Sequence, residues 1–258
     1  MRIVLFLALA GCSEYAVYDH ADDVEPPLDT AEEVDEVDET PVADAPVYAN
    51  TSTELWEVNP ETGLKFHRGT FHTAGGAPVE GMVDIAIDLN GRMFGGTYDA
   101  LYRIDPTNGQ VVKVCDTDLR PYALAFTSDG VLFAGAGTEV VSIDLYSCLS
   151  TPLANSGGYE TSGDLVGLPD GYLYWTVEGA SSDELVRVDP NSGAATWIGT
   201  ITAEDLFGLG YDDGQLYGFS KSGEIVRISP VGATSSVTFS DPAISWWGAT
   251  TNPVVWQD

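Results

Sequence analysis

The sequence predicts an all-β protein, in which a five-bladed β-propeller of four-stranded antiparallel blades follows a disordered acidic tether. Three observations lead to this prediction. A unit of about 40 residues recurs along the chain, the unit contains four short strands, and the two ends of the repeated region hold complementary parts of one unit. The hairpin glycines Gly91, Gly130, Gly171 and Gly214 mark the period, because they are 39, 41 and 43 residues apart.

The clearest unit spans residues 205–230. Apolar strands at 206–211, 216–219 and 224–228 are separated by an Asp-Gly hairpin signal and a Ser-Gly turn, and residues 233–239 supply a fourth strand. Asn-Gly or Asp-Gly in each hairpin predicts a two-residue type I′ turn, since both central residues then need positive φ.

The third strand of the unit has a strictly alternating motif, which predicts one buried and one wet face. The motif occurs at residues 55–60, 101–106, 140–144, 185–190 and 224–230. Repeats such as Leu101-Tyr-Arg-Ile-Asp-Pro-Thr-Asn-Gly109 resemble those of bacterial propellers of the NHL and YVTN types, and the resemblance covers residues 54–258. It implies a propeller fold and no particular activity.

The ends of the repeat predict how the ring closes. Residues 55–58 and 64–71 read as the third and fourth strands of a blade, and residues 244–249 and 254–257 read as its first and second strands. A blade assembled from both termini removes the open sheet edges. One small residue recurs in each inner strand, where five strands crowd a narrow axis: Ala86, Ala125, Gly167, Gly208 and Gly248.

The N-terminus carries an export signal. Met1-Arg2 precedes an apolar run, and Leu9-Ala10-Gly11-Cys12 resembles the lipobox of bacterial lipoproteins, which implies a signal peptide at 1–11 and a lipid on Cys12. The alternative is an unlipidated signal peptide. By the same resemblance, Ser13 after the cysteine implies an outer-membrane lipoprotein that faces the periplasm or the cell surface, with the lipid anchor as its membrane contact.

Residues 12–53 are predicted to be the tether and residues 54–258 the propeller. Thirteen acidic residues lie between Glu14 and Asp44, without a single Lys or Arg, so this segment cannot bury enough apolar surface to fold. Without those 13 acidic residues and Arg2, 27 acidic and nine basic residues remain, a net charge near −18. Nucleic acid is therefore excluded as a partner, and we expect a monomeric propeller.

Two interpretations of Cys115 and Cys148 remain open: they form a disulfide, or they are unpaired. An oxidising compartment favours pairing, whereas the repeat places the two residues towards opposite faces of neighbouring blades.

The candidate ligand site is the entrance of the central channel. Counting back three residues from each small residue gives a ring of Val83, Tyr122, Asp164, Asp205 and Ser245. Long loops bring His72 and Glu160 to the same face, and Trp246 and Trp247 belong to the closing blade nearby. Carboxylates beside aromatic rings suit a sugar or a cation. Alternatively, Asp164 and Asp205 only bind local backbone at the start of their strands.

Two functions follow from this ring. The first is a non-catalytic module that binds a polysaccharide or a protein. The second is a five-bladed glycoside hydrolase, which would need a spaced set of carboxylates such as Asp84, Asp164 and Asp205. Asp84 falls one residue out of the counted register, which predicts that its side chain points away from the channel. No cofactor is expected, and a bound divalent cation has no motif to support it.

Overall fold

The computed structural model describes residues 47–117 and 119–254. Cys12, the predicted signal peptide and residues 12–46 of the predicted tether lie outside this range. Five four-stranded sheets form the five blades of a β-propeller, which confirms the predicted fold class. In the described ranges, no helix is long and apolar enough to cross a membrane.

Each blade runs from an inner strand at the channel to an outer strand at the rim. Blade 1 contains β5 (Asp84–Ile87), β6 (Met93–Gly96), β7 (Ala100–Ile104) and β8 (Gln110–Asp116), and the short β4 (His72–Thr73) pairs in parallel with its outer strand. Blade 2 contains β9 (Ala123–Phe126), β10 (Leu132–Ala136), β11 (Glu139–Ile143) and β12 (Ser150–Pro152). Blade 3 contains β13 (Thr161–Gly167), β14 (Leu173–Val177), β15 (Glu184–Val188) and β16 (Ala195–Thr200). Blade 4 contains β17 (Leu206–Asp212), β18 (Gln215–Ser220), β19 (Glu224–Ile228) and β20 (Ser235–Ser240).

The closing blade is shared by both ends of the repeated region, but in different proportions from those predicted. Its order from the channel outward is β21 (Gly248–Thr251), β1 (Val47–Asn50), β2 (Glu54–Val58) and β3 (Lys65–Thr70). The second strand is therefore Val47–Asn50 and not residues 254–257, of which 255–257 lie outside the described residues. All four residues of β1 are buried, so the propeller begins before residue 54.

The hydrophobic core is divided into five clusters, one at each junction between neighbouring blades. At the junction that closes the ring, Tyr217 and Phe219 of blade 4 pack with Val47 and Trp246 of the closing blade. The third strands therefore do not have the one wet face that their alternation predicts. In β15 the adjacent Leu185 and Val186 are both buried, because each blade packs against a neighbour on either side.

The hairpins follow the predicted turn chemistry in one case of four. Asp213 and Gly214 have φ of 43° and 77°, as a two-residue type I′ turn requires. In the other three hairpins only the glycine of the pair has positive φ. There its N–H donates to the carbonyl three residues earlier, as Gly91 does to Asp88 at 3.0 Å. These loops are one turn followed by a left-handed glycine, a longer connection than predicted.

Cys115 and Cys148 form a disulfide between blades 1 and 2, with Cα atoms 6.4 Å apart. The expectation that they face opposite sides was wrong because it treated the blades as flat. Neighbouring strands rotate by about 20–25° relative to each other. This rotation accumulates from the inner strand to the outer β8, which carries Cys115.

Deletion of residues 243–258 should destroy cooperative folding. The truncation removes β21 and the buried Trp246, so β1 loses its inner partner and the ring opens. We expect an insoluble protein or a melting midpoint lower by at least about 10 °C, measured by circular dichroism. An unchanged midpoint with a single transition would contradict the closure of the ring by β21.

Candidate functional site at the channel mouth

The third-strand motif defines equivalent positions in the five blades. One motif residue in each third strand pairs with a residue of the second strand, which in turn pairs with one residue of the inner strand. The motif residues are Trp56, Tyr102, Val141, Val186 and Val226. These inner-strand residues are Ala249, Ile85, Leu124, Leu165 and Leu209. Residues at the same distance from them along each inner strand therefore lie at one level of the channel.

In each blade, the residue two positions before the reference residue, towards the start of the inner strand, lies on the floor of a pocket. We call this end of the channel the mouth. The floor residues are Val83, Tyr122, Gly163, Phe207 and Trp247.

A second set of equivalent positions forms the rim of the mouth. These residues follow the second strand of each blade, three residues beyond the partner of the reference position. The rim residues are Tyr98, Gly137, Glu178 and Lys221, and the segment Glu160–Ser162 completes the lining. The sequence repeat could have identified them, since the turn after each second strand faces the mouth in every blade.

The mouth pocket has a volume of about 510 Å³ and carries four aromatic side chains. The rings of Tyr98 and Tyr122 meet edge to face at 5.8 Å, and both side chains are about 40 % exposed. Lys221 places its ammonium 5.6 Å from the centre of the Phe207 ring. At the other end, the channel narrows to a cavity of about 20 Å³, the size of a single water molecule. Of the two ends formed by the described residues, the mouth is the wider and is the one that can admit a ligand of about 510 Å³.

Directly below the floor, two buried carboxyl groups occupy the channel axis. Asp84 and Asp164 are 1 % and 0 % exposed and hydrogen-bond to each other. We call them the central carboxyl pair. The other three residues at this level are Ala123, Gly208 and Gly248, and a Cβ on Gly248 would lie 2.2 Å from Asp84 Oδ1. Glycine is therefore needed at position 248 to leave room for the pair.

The central carboxyl pair accepts one backbone N–H from every blade. Ile85 donates to Asp84 at 2.8 Å and Leu124 donates at 2.5 Å. Leu165 and Leu209 each donate to Asp164 at 2.5 Å, and the Ala249 amide also binds Asp164. Inner strands have no further strand on the channel side, so these groups would otherwise lack partners.

The pair holds a proton at neutral pH. Burial raises the pKa of Asp164 to about 8, against the hydrogen bonds from Asp84 and from the amides. Burial and the neighbouring charge of Asp164 raise the pKa of Asp84 well above its usual range. Two carboxylates in contact cannot both ionise without strong repulsion, so one carboxyl donates to the other.

Four of the residues placed at or near the entrance from the sequence line the pocket: Val83, Tyr122, Glu160 and Trp247. Asp164 lies one level below the floor as part of the central carboxyl pair. Its contacts are those of the structural alternative, because it binds backbone amides at the start of its strand.

Three predicted site residues lie elsewhere. Trp246 is buried in the core, edge to face with Phe219 at 5.5 Å, and its neighbour Trp247 faces the pocket instead. Asp205 is exposed with φ of 53°, and its carbonyl accepts the Lys221 N–H. His72 lies on β4 at the outer edge of blade 1, where its Nδ1 contacts the Thr70 carbonyl at 2.8 Å.

The positions counted back from the small residues also explain why Asp84 was wrongly predicted to point away from the channel. The five small residues do not occupy equivalent positions in their strands. Ala86 and Ala125 lie one residue after the reference position, Gly167 lies two after it, and Gly208 and Gly248 lie one before it. Counting back from the small residues is therefore wrong in blades 3 to 5. By strand pairing, Asp84 is equivalent to Asp164 and points into the channel.

The central carboxyl pair does not have the arrangement of a glycosidase. Glycosidase carboxyls lie about 5–9.5 Å apart on either side of an open cleft. Asp84 and Asp164 contact each other in a dry interior. Within the described ranges, no group of three His, Cys, Asp or Glu residues is arranged to hold a metal ion.

Comparison with solved structures shows the β-propeller fold. A chain of a nidogen/laminin complex has a TM-score of 0.55 and 12 % identity, over 81 % of this chain and 98 % of that one. TolB from Acinetobacter baumannii has a TM-score of 0.48 and 14 % identity, over 74 % and 51 %. Kuenenia stuttgartiensis hydrazine synthase has a TM-score of 0.46 and 16 % identity, and the match covers 61 % of this chain but only 49 % of the synthase chain. No family model and no curated protein matches the sequence.

The protein should lose stability as the pH rises from 6 to 8. The folded pair keeps protons that the unfolded chain, with aspartate pKa values near 3.9, has already released. Stability is therefore fully present below about pH 4 for these groups and is lost as the pH rises through the folded pKa of Asp164, about 8. The titration of Asp164 alone should cost about 2 kcal/mol of unfolding free energy between pH 6 and 8, measured by urea denaturation.

Two variants separate the contributions to this slope. Asp164→Asn should flatten the profile between pH 6 and 8, because its amide can donate to Asp84 without a shared proton. Asp183→Asn is the matched control: burial raises the pKa of Asp183 only to about 6, so this change should alter the profile mainly below pH 6. A flat wild-type profile between pH 6 and 8 would show that the pair is ionised.

Proposed function

We propose that this protein is an exported, lipid-anchored binding protein that holds a carbohydrate in the mouth pocket. The propeller fold is consistent with a binding or interaction module. The observation that carries the proposal is the convergence of four aromatic side chains on one open pocket, at the wider end of the channel that the described residues form: Tyr98, Tyr122, Phe207 and Trp247. Aromatic faces stack on the C–H faces of sugars, while nearby polar groups bind the hydroxyls.

The polar lining suits a sugar. Glu160 and Glu178 offer carboxylate acceptors, Lys221 offers a donor, and Ser162 lies between the two walls. Hydroxyl groups that bind charged side chains form the stronger class of hydrogen bonds. A few such contacts orient the ligand, and the aromatic rings supply most of the buried area.

A second concavity, of about 580 Å³, is a poorer candidate. It lies between blade 4 and the closing blade and is lined mainly by polar side chains, among them Glu61, Asp212 and Arg227. Its one aromatic residue, Tyr217, is 1 % exposed and donates its hydroxyl to Glu61. This surface offers no aromatic face on which a sugar could stack.

Export is supported by two independent features. The Leu9–Cys12 segment resembles a lipobox, and Cys115 is bonded to Cys148, as is common in oxidising compartments. The acidic residues between 14 and 44 would repel one another and extend the connection between the anchor and the propeller.

Trp247→Ala should weaken carbohydrate binding by about tenfold or more, because the ring is one of the stacking faces of the floor. The matched control is Trp197→Ala, which removes an exposed tryptophan from the outer strand of blade 3. A glycan array would identify the ligand and calorimetry would measure both variants. Failure of every glycan to bind, or equal losses in the two variants, would contradict the proposal.

Cys12→Ser should release the protein from membranes, since the acidic chain has no affinity of its own for anionic lipid. Membrane fractionation and palmitate labelling would test this. The double variant Cys115→Ser, Cys148→Ser is the control and should stay with the membrane. The anchor is disproved if the wild-type chain takes up no label.

A further inference from the structure

We infer that the carbohydrate bound in the mouth pocket is cationic, with free amino groups on its sugar rings. This inference rests on the proposed function and names the ligand class for the same pocket. It starts from two carboxylates on one wall, an ammonium group already held against an aromatic ring, and the charge of the whole propeller.

The two carboxylates stand side by side on the wall formed by blade 3. Glu160 precedes the inner strand and Glu178 follows the second strand, and the Glu178 N–H donates to the Glu160 carbonyl at 2.8 Å. Both residues are exposed and line the pocket. In the described part of the chain, no Lys, Arg or His lies within ion-pair distance of either carboxylate. The wall therefore presents two charges that a cationic ligand could neutralise.

The aromatic lining also suits an ammonium group. Lys221 belongs to the rim, and its Nζ lies 5.6 Å from the centre of the Phe207 ring, within cation–π range. The protein's own ammonium thus shows that the pocket holds a cation against a ring face. Tyr98, Tyr122 and Trp247 are further rings of the same pocket, and no cation–π contact from a described residue covers them.

The net charge of the propeller acts in the same direction. With a charge near −18 outside the predicted tether, the molecule attracts cations from solution and repels anionic polysaccharides. Of the basic groups near the mouth, Lys221 belongs to the lining, whereas Arg120 is exposed outside it. A ligand amine between Glu160 and Glu178 would leave the sugar rings free to stack on the floor.

The test compares two oligosaccharides that differ only in the charged group. Calorimetry on the full chain in detergent would use a β-1,4-linked glucosamine tetramer and its fully N-acetylated counterpart, at a pH that keeps the amines protonated. We expect the glucosamine tetramer to bind about tenfold tighter or better. The double variant Glu160→Gln, Glu178→Gln should lose this preference, whereas Glu139→Gln, an exposed change in blade 2, should keep it.

The variant Lys221→Met tests the inference further, because a rise in affinity is not expected if Lys221 only supports the fold of the pocket. Removing the internal ammonium frees the face of Phe207 and removes a like charge, so affinity for the glucosamine tetramer should rise about threefold. A fall in that affinity would overturn the inference, because Lys221 would then contribute to binding. Equal binding of both tetramers, or binding of other neutral or anionic glycans alone, would overturn the inference but leave the proposed function standing. If no glycan binds, both are wrong.

Discussion

The rest of this propeller depends on which groups accept hydrogen bonds from the backbone N–H groups at the channel edge of its five inner strands. One N–H from each inner strand points at the axis, and all five are accepted by Asp84 and Asp164. Asp84 joins blades 1 and 2, while Asp164 joins blades 3, 4 and the closing blade. The two carboxyls then bond to each other, so they link the blades at the channel axis, while the backbone hydrogen bonds between β21 and β1 close the ring. Such a pair must keep a proton to remain buried.

This constraint determines where function can lie. Because the channel is filled at the level of the central carboxyl pair, a ligand can reach no deeper than the floor residues one level above it. Gly248 must stay small to admit Asp84, and Gly208 must stay small because Gly248 and Ala249 lie against it, so neither can contribute a side chain to a site. The next residue towards the mouth is free of that restriction, and in blades 4 and 5 it is aromatic: Phe207 and Trp247.

The sequence was sufficient for the fold but only in part for the site. Period, strand count and the shared closing blade follow from hairpin and third-strand motifs, whose chemistry is local. Val47–Asn50 was missed because a strand of four residues beside an acidic segment carries no periodic signal. The level of a residue in the channel depends on which inner-strand residue pairs with the third-strand motif, and the recurring small residues do not mark that position. Tyr122 was placed correctly because Ala125 follows the reference position of blade 2, and Asp205 wrongly because Gly208 precedes that of blade 4.

The two kinds of carboxylate near the channel illustrate how environment separates structure from recognition. Asp84 and Asp164 are dry, share a proton and accept backbone amides, so their oxygens are committed to the fold. Glu160 and Glu178 are exposed to solvent, and no Lys, Arg or His among the described residues forms an ion pair with them. Their charge is therefore available to a ligand. Acidic residues that look alike in the sequence therefore have different roles above and below the floor of the pocket. A substitution below the floor should change stability and its pH dependence, whereas one above it should change binding alone.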